Sequence, residues 1–68
     1  MSETLLRKST EKGTAVRLQR YADDDYRLEF LDAAGPIWRQ LSDPPLKFWS
    51  TAVQAFWAAI AKMNKEGR

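Results

Sequence analysis

The sequence predicts an α+β domain: a three- or four-stranded antiparallel β-meander, then one long C-terminal amphipathic α-helix packed on one sheet face. Three observations carry this. From Leu46 onward, large apolar residues recur at helical spacing. Upstream, the spacing changes to alternation. Three short polar segments then divide the alternating part at intervals that suit hairpin turns. At 68 residues the chain is expected to form a single domain.

Taken in order, the predicted strands cover about 4–9, 14–22, 26–32 and 36–42. Residues 1–10 are expected to be either an edge strand or a disordered tail, because Leu5 and Leu6 are their only large aliphatics besides Met1. Glu11-Lys12-Gly13 and Ala33-Ala34-Gly35 each end in Gly, where a three-residue hairpin loop wants a left-handed residue. Asp23-Asp24-Asp25 places Asp at the same point, a residue that tolerates this conformation better than most. Three-residue loops would set Leu6 opposite Leu18, Lys8 opposite Val16, and Phe30 between Leu18 and Trp38.

The helix is predicted over about 44–65, with Asp43 as N-cap and Pro44 at the first helical position. Leu46, Trp49, Val53, Phe56, Ile60 and Met63 form its apolar stripe, joined by Ala52. Lys62 and Lys65 suit the negative end of the helix dipole, and Gly67 lies where the helix should stop. Phe48 and Trp57 fall on opposite shoulders of the stripe.

Alternation sorts the sheet into two faces. Leu6, Val16, Leu18, Tyr26, Leu28, Phe30 and Trp38 would bed the helix. The predicted core is Leu18, Leu28, Phe30, Trp38, Trp49, Val53, Phe56 and Ile60. The outer face would carry Arg7, Arg17, Arg27 and Arg39 with Gln19 and Tyr21. Glu29 would be its one acid, placed between Gln19 and Arg39. Leu5, Leu31, Ile37 and Leu41 would form an apolar cluster on that face, with Leu31 opposite Ile37.

Composition removes several classes of function. The chain has no Cys and no His, so thiolate chemistry, disulfides and imidazole ligands or bases are excluded. The glycines are scattered, and no phosphate-binding loop is formed. The Asp23–Asp25 run lacks the spaced ligands and glycine of a calcium loop, and reads as an acidic turn pairing with Arg20 or Arg27. No cofactor, metal or enzymatic activity is expected. The N-terminal residues lead into no apolar run of signal-peptide length, and Phe48 to Met63 is shorter and more polar than a membrane span. A cytoplasmic protein without membrane contact is expected.

A domain of this size buries only about 60% of the surface its unfolded chain exposes. Without disulfide or metal, aromatic bulk and self-association remain as stabilisers. The expected function is therefore a small non-enzymatic protein-interaction module: a regulator, inhibitor or small subunit that self-associates as a homodimer. Its contact residues would be Arg7, Arg17, Tyr21, Arg27, Leu31, Ile37, Arg39 and Leu41 on the outer face, with Phe48 and Trp57 on the helix flank. A cluster of aliphatics rimmed by Arg and Tyr has the composition of an interface. The alternative is a nucleic-acid-binding module using the Arg-bearing face. Single-strand binders of the sheet-platform type also need aromatics for base stacking, and the expected arrangement gives that face only Tyr21.

Overall fold

A computed structural model describes residues 2–41 and 45–66. It contains strands β1 (Glu3–Ser9), β2 (Ala15–Ala22), β3 (Asp25–Leu31) and β4 (Trp38–Gln40), followed by helix α1 (Trp49–Glu66). The strands form one antiparallel sheet in the order β1-β2-β3-β4. The helix lies over the two central strands, β2 and β3. This is the α+β meander-and-helix expected from the sequence, with residues 3–9 in an edge strand.

Alternation in β2 and β3 explains the core. Val16, Leu18, Tyr26 and Leu28 point toward the helix and are buried, as are Ala52, Phe56, Ile60 and Met63 from its apolar stripe. Phe30 and Val53 pack at the edge of this cluster. Leu5 also packs there rather than on the outer face, because β1 bulges between Thr4 and Leu6. Trp38 and Trp49 are not core residues. Trp38 lies on the other side of the sheet, and Trp49 stays 48% exposed, with its ring 6.1 Å from that of Tyr26.

The first hairpin closes as expected. Thr10 N donates to Thr14 O at 2.9 Å across Glu11-Lys12-Gly13, and Gly13 takes the left-handed φ of 89°. Leu6 faces Leu18 and Lys8 faces Val16. At the second hairpin, Ala22 pairs with Asp25, so the loop has two residues rather than three. A bulge between Arg20 and Ala22 then brings Leu18 opposite Leu28 and Val16 opposite Phe30. This differs from the expected pairing by two residues, an even shift that leaves every side chain on its expected face.

The third connection alters the faces. Leu31 pairs with Trp38 and Phe30 with Arg39, one residue away from the expected register. The loop runs from Asp32 through Ile37. Within it, Gly35 lacks the left-handed φ that a tight three-residue loop requires, and Asp32 Oδ1 accepts from Ala34 N at 3.1 Å. Pro36 has no backbone N–H to donate to a ladder. Trp38 is consequently turned to the outer face, and Arg39 to the helix side beside Phe30.

The helix begins later than expected. Leu46 exchanges both backbone hydrogen bonds with Tyr26, each at 2.8 Å, which holds Leu46 in extended pairing with β3. The first helical turn closes where Ala52 N donates to Phe48 O at 3.0 Å. The proposed cap residues Asp43 and Pro44, and the stop at Gly67, lie outside the described residues. No helix among the described residues is long and apolar enough to cross a membrane.

Candidate functional site

Two surfaces remain once the core is formed: the outer face of the sheet and the flanks of the helix. Pairing arranges the outer face in rows. One row is Ser9, Ala15, Leu31 and Trp38; the next is Arg7, Arg17, Glu29 and Gln40; the third is Thr4, Gln19 and Arg27. Tyr21, in the β2 bulge, reaches back across them.

These side chains form a connected lattice. Arg17 Nε donates to Glu29 Oε1 at 2.6 Å, and the Tyr21 hydroxyl donates to Glu29 Oε2 at 2.6 Å. The Arg17 guanidinium also lies 4.2 Å from the centre of the Trp38 ring, with Arg7 at 5.5 Å. Arg27 stacks 4.4 Å over Tyr21 while its Nε and Nη2 donate to the two oxygens of Asp25, each at 2.9 Å. Beside them, the Thr4 hydroxyl donates to Gln19 Oε1, and Gln19 Nε2 donates to Ser2 Oγ at 3.1 Å. This explains how Gln19 and Glu29 are buried on a sheet face that no helix covers. Glu29 takes Arg17 as its ion partner, not Arg39. In the acidic turn, Asp25 serves Arg27, while Arg20 pairs with Glu3 at 3.4 Å on the helix side.

The hydrogen bond to Glu29 is the main cause of an upward shift in the Tyr21 phenol pKa, with desolvation second. An acid whose folded pKa is raised contributes stability below its unfolded value of about 10, and that contribution is lost as pH climbs through the folded value. A near-ultraviolet absorbance titration should show Tyr21 ionising above the ordinary tyrosine range, and Glu29→Gln should lower that value. An unchanged titration in Glu29→Gln would contradict the assigned hydrogen bond.

The expected outer-face cluster is dispersed. Of its four aliphatics only Leu31 stays on that face. Leu5 joins the core edge, and Ile37 stands 71% exposed in the β3–β4 loop. Leu41 N donates to Leu28 O at 2.7 Å, and Leu41 turns toward the helix. There it lines a groove of about 310 Å³ with Leu28, Phe30, Ala59 and Met63. Arg39 leaves the outer face in the same register change, and Trp38 enters it. The signals for that exchange were Pro36 and the Asx-forming Asp32, both legible in the sequence as obstacles to a tight loop.

The helix flanks carry the larger apolar exposure. Phe48 precedes the helix and is 69% exposed, while Trp57 is half exposed. Trp57 meets Phe56 edge-on, with centroids 5.2 Å apart, and the Lys8 ammonium lies 5.6 Å from the Trp57 ring centre. Trp49, Val53 and Trp57 follow one another at i, i+4 and i+8, a row along one shoulder of the helix. Ala55 and Ala59 pack against the core cluster, leaving Ala58 on the exposed back. No family model matches the chain, and comparison with curated proteins and with solved structures returns no match.

Proposed function

We propose that this chain is a small non-enzymatic protein-interaction module that engages its partner, a second copy included, through the aromatic flank of its helix. The observation that supports this is the exposure of Trp49 and Trp57 along one shoulder of the helix on so small a domain. An aromatic side chain buries about 150–250 Å² when fully covered. The two Trp rings of that one shoulder, each about half exposed, therefore present on the order of a third of the roughly 800 Å² that each partner contributes to a standard interface. Trp is also, with Tyr and Arg, among the residue types enriched at the energetic anchors of interfaces. The polar, internally bonded outer sheet face offers no comparable apolar centre.

Sedimentation velocity over a micromolar concentration series tests the self-association. The average mass should rise above the 7.8 kDa of one chain. Trp57→Arg should hold it at that value while preserving the circular dichroism spectrum. A wild-type chain that stays at the monomer mass throughout, with Phe48 and Trp57 unprotected in extract, would remove this reading.

A further inference from the structure

We propose that the outer sheet face is a second, independent site: a platform for single-stranded nucleic acid, with Trp38 and Tyr21 as base-stacking positions and Arg7, Arg17 and Arg27 as the cationic contacts. The helix occupies the opposite side of the sheet, so this face and the aromatic flank do not compete.

The first argument concerns the rings. The one-residue register change at β4 brings Trp38 into the row beside Arg17, giving the face two aromatic side chains instead of one. Each ring is held by a guanidinium, Trp38 by Arg17 at 4.2 Å and Tyr21 by Arg27 at 4.4 Å. A guanidinium held against an aromatic ring keeps that pair ordered and cationic, so little ordering is left to do when a base arrives. Bases stack on aromatic rings and on Arg planes alike, and every base has such a face.

The second argument concerns charge. Three guanidinium groups face two carboxylates here. Both oxygens of Glu29 and both oxygens of Asp25 already accept hydrogen bonds from their own neighbours. The acids thus serve to fix Arg17, Tyr21 and Arg27 in place, and the face keeps a net positive balance for phosphates.

The third argument separates this ligand from a protein partner. With Leu5 and Leu41 turned to the helix side, the outer face lacks the apolar centre that protein interfaces bury. What remains is a single aliphatic, Leu31, among aromatic, guanidinium, carboxylate and amide groups. Duplexes keep their base faces stacked internally, so only unpaired bases can use Trp38 and Tyr21.

Fluorescence anisotropy with a labelled oligothymidylate, at low salt and with the full chain, provides the test. The wild-type chain should bind it, and should bind a duplex of equal length more weakly. Trp38→Leu should weaken binding by about five- to a hundredfold, the range for losing one stacked base, while Trp38→Phe should retain most of it. With at most three cationic contacts, the logarithmic salt slope should be no steeper than about −2. Circular dichroism confirms that each variant is folded. In a Trp49→Phe/Trp57→Phe background, quenching of the remaining Trp38 by the oligonucleotide gives an independent readout. No binding at low salt, a folded Trp38→Leu that binds as well as wild type, or preference for the duplex would each overturn the proposal. Trp57→Arg should leave the titration unchanged, so this site and the helix-flank reading fail separately.

Discussion

Phe56→Ala is expected to remove much of the chain's folding stability and to lower its urea midpoint far more than truncation of an exposed aromatic. Phe56 is 1% exposed and sits at the centre of the helix stripe, where Ala52 and Ile60 flank it and β2 and β3 lie beneath. Truncating a buried Phe to Ala costs about 3–5 kcal/mol, the lost transfer energy plus the cavity left behind. A 68-residue domain has a total stability of roughly 3–10 kcal/mol. The loss is therefore about a third or more of the whole margin. Apolar side chains line the site, so water gains nothing by entering the cavity, and the helix has no second layer to collapse from. Trp49→Ala is the informative control: the residue is 48% exposed, and its loss should cost about 1–2 kcal/mol despite the larger side chain. Urea unfolding followed by circular dichroism compares the two. A Phe56→Ala midpoint close to that of Trp49→Ala would mean that the helix does not seat on the sheet through this residue.

The contrast between Phe56 and Trp49 also marks how far the fold was legible. Both lie on the stripe that period 3.6 picks out, and the period alone ranks them equally. What separates them is the start of the helix, which pattern places at Pro44 and the structure at Trp49. The later start follows from the Leu46–Tyr26 backbone pair, a contact between residues 20 apart that no window of sequence contains. Trp49 thereby falls in the first turn, beyond full cover from the sheet.

Register shows the same division. Apolar alternation distinguishes odd from even shifts but cannot distinguish one even shift from another. The β2–β3 pairing could therefore move by two residues without disturbing the face of Leu18, Leu28 or Glu29. The β3–β4 pairing moved by one, and the pattern offered little resistance, since β4 contributes only Trp38, Arg39 and Gln40. A single aromatic in three residues does not define a face. Pro36 and Asp32 do limit the loop chemistry, and they are what place Trp38 among the arginines. The outer-face residues on β2 and β3 were legible because each strand has seven or eight residues of clear alternation. Which arginine would neutralise Glu29 was not, because that choice depends on the even shift.

Glu29→Ala is the second substitution expected to cost the most, and it acts through charge rather than volume. The carboxylate is nearly buried, and both of its oxygens are engaged, by Arg17 and by Tyr21. Removing one partner of a fully buried ion pair costs about 3–5 kcal/mol, because the other charge is left without compensation. Here the Arg17 side chain is 25% exposed, and water reaches the guanidinium, so the expected loss is smaller, about 2–3 kcal/mol with the Tyr21 bond included. Arg17→Met combined with Glu29→Leu removes both charges and refills the space, and should return most of that loss, since apolar replacement of a buried pair is often neutral. The double-mutant cycle isolates the coupling between the two residues. Coupling near zero would mean that Arg17 is held by Trp38 alone and that Glu29 does not organise the face. Coupling of about 2 kcal/mol would make Glu29 the residue that fixes Arg17 and Tyr21 together, and would explain why an acid stands at the centre of a guanidinium surface.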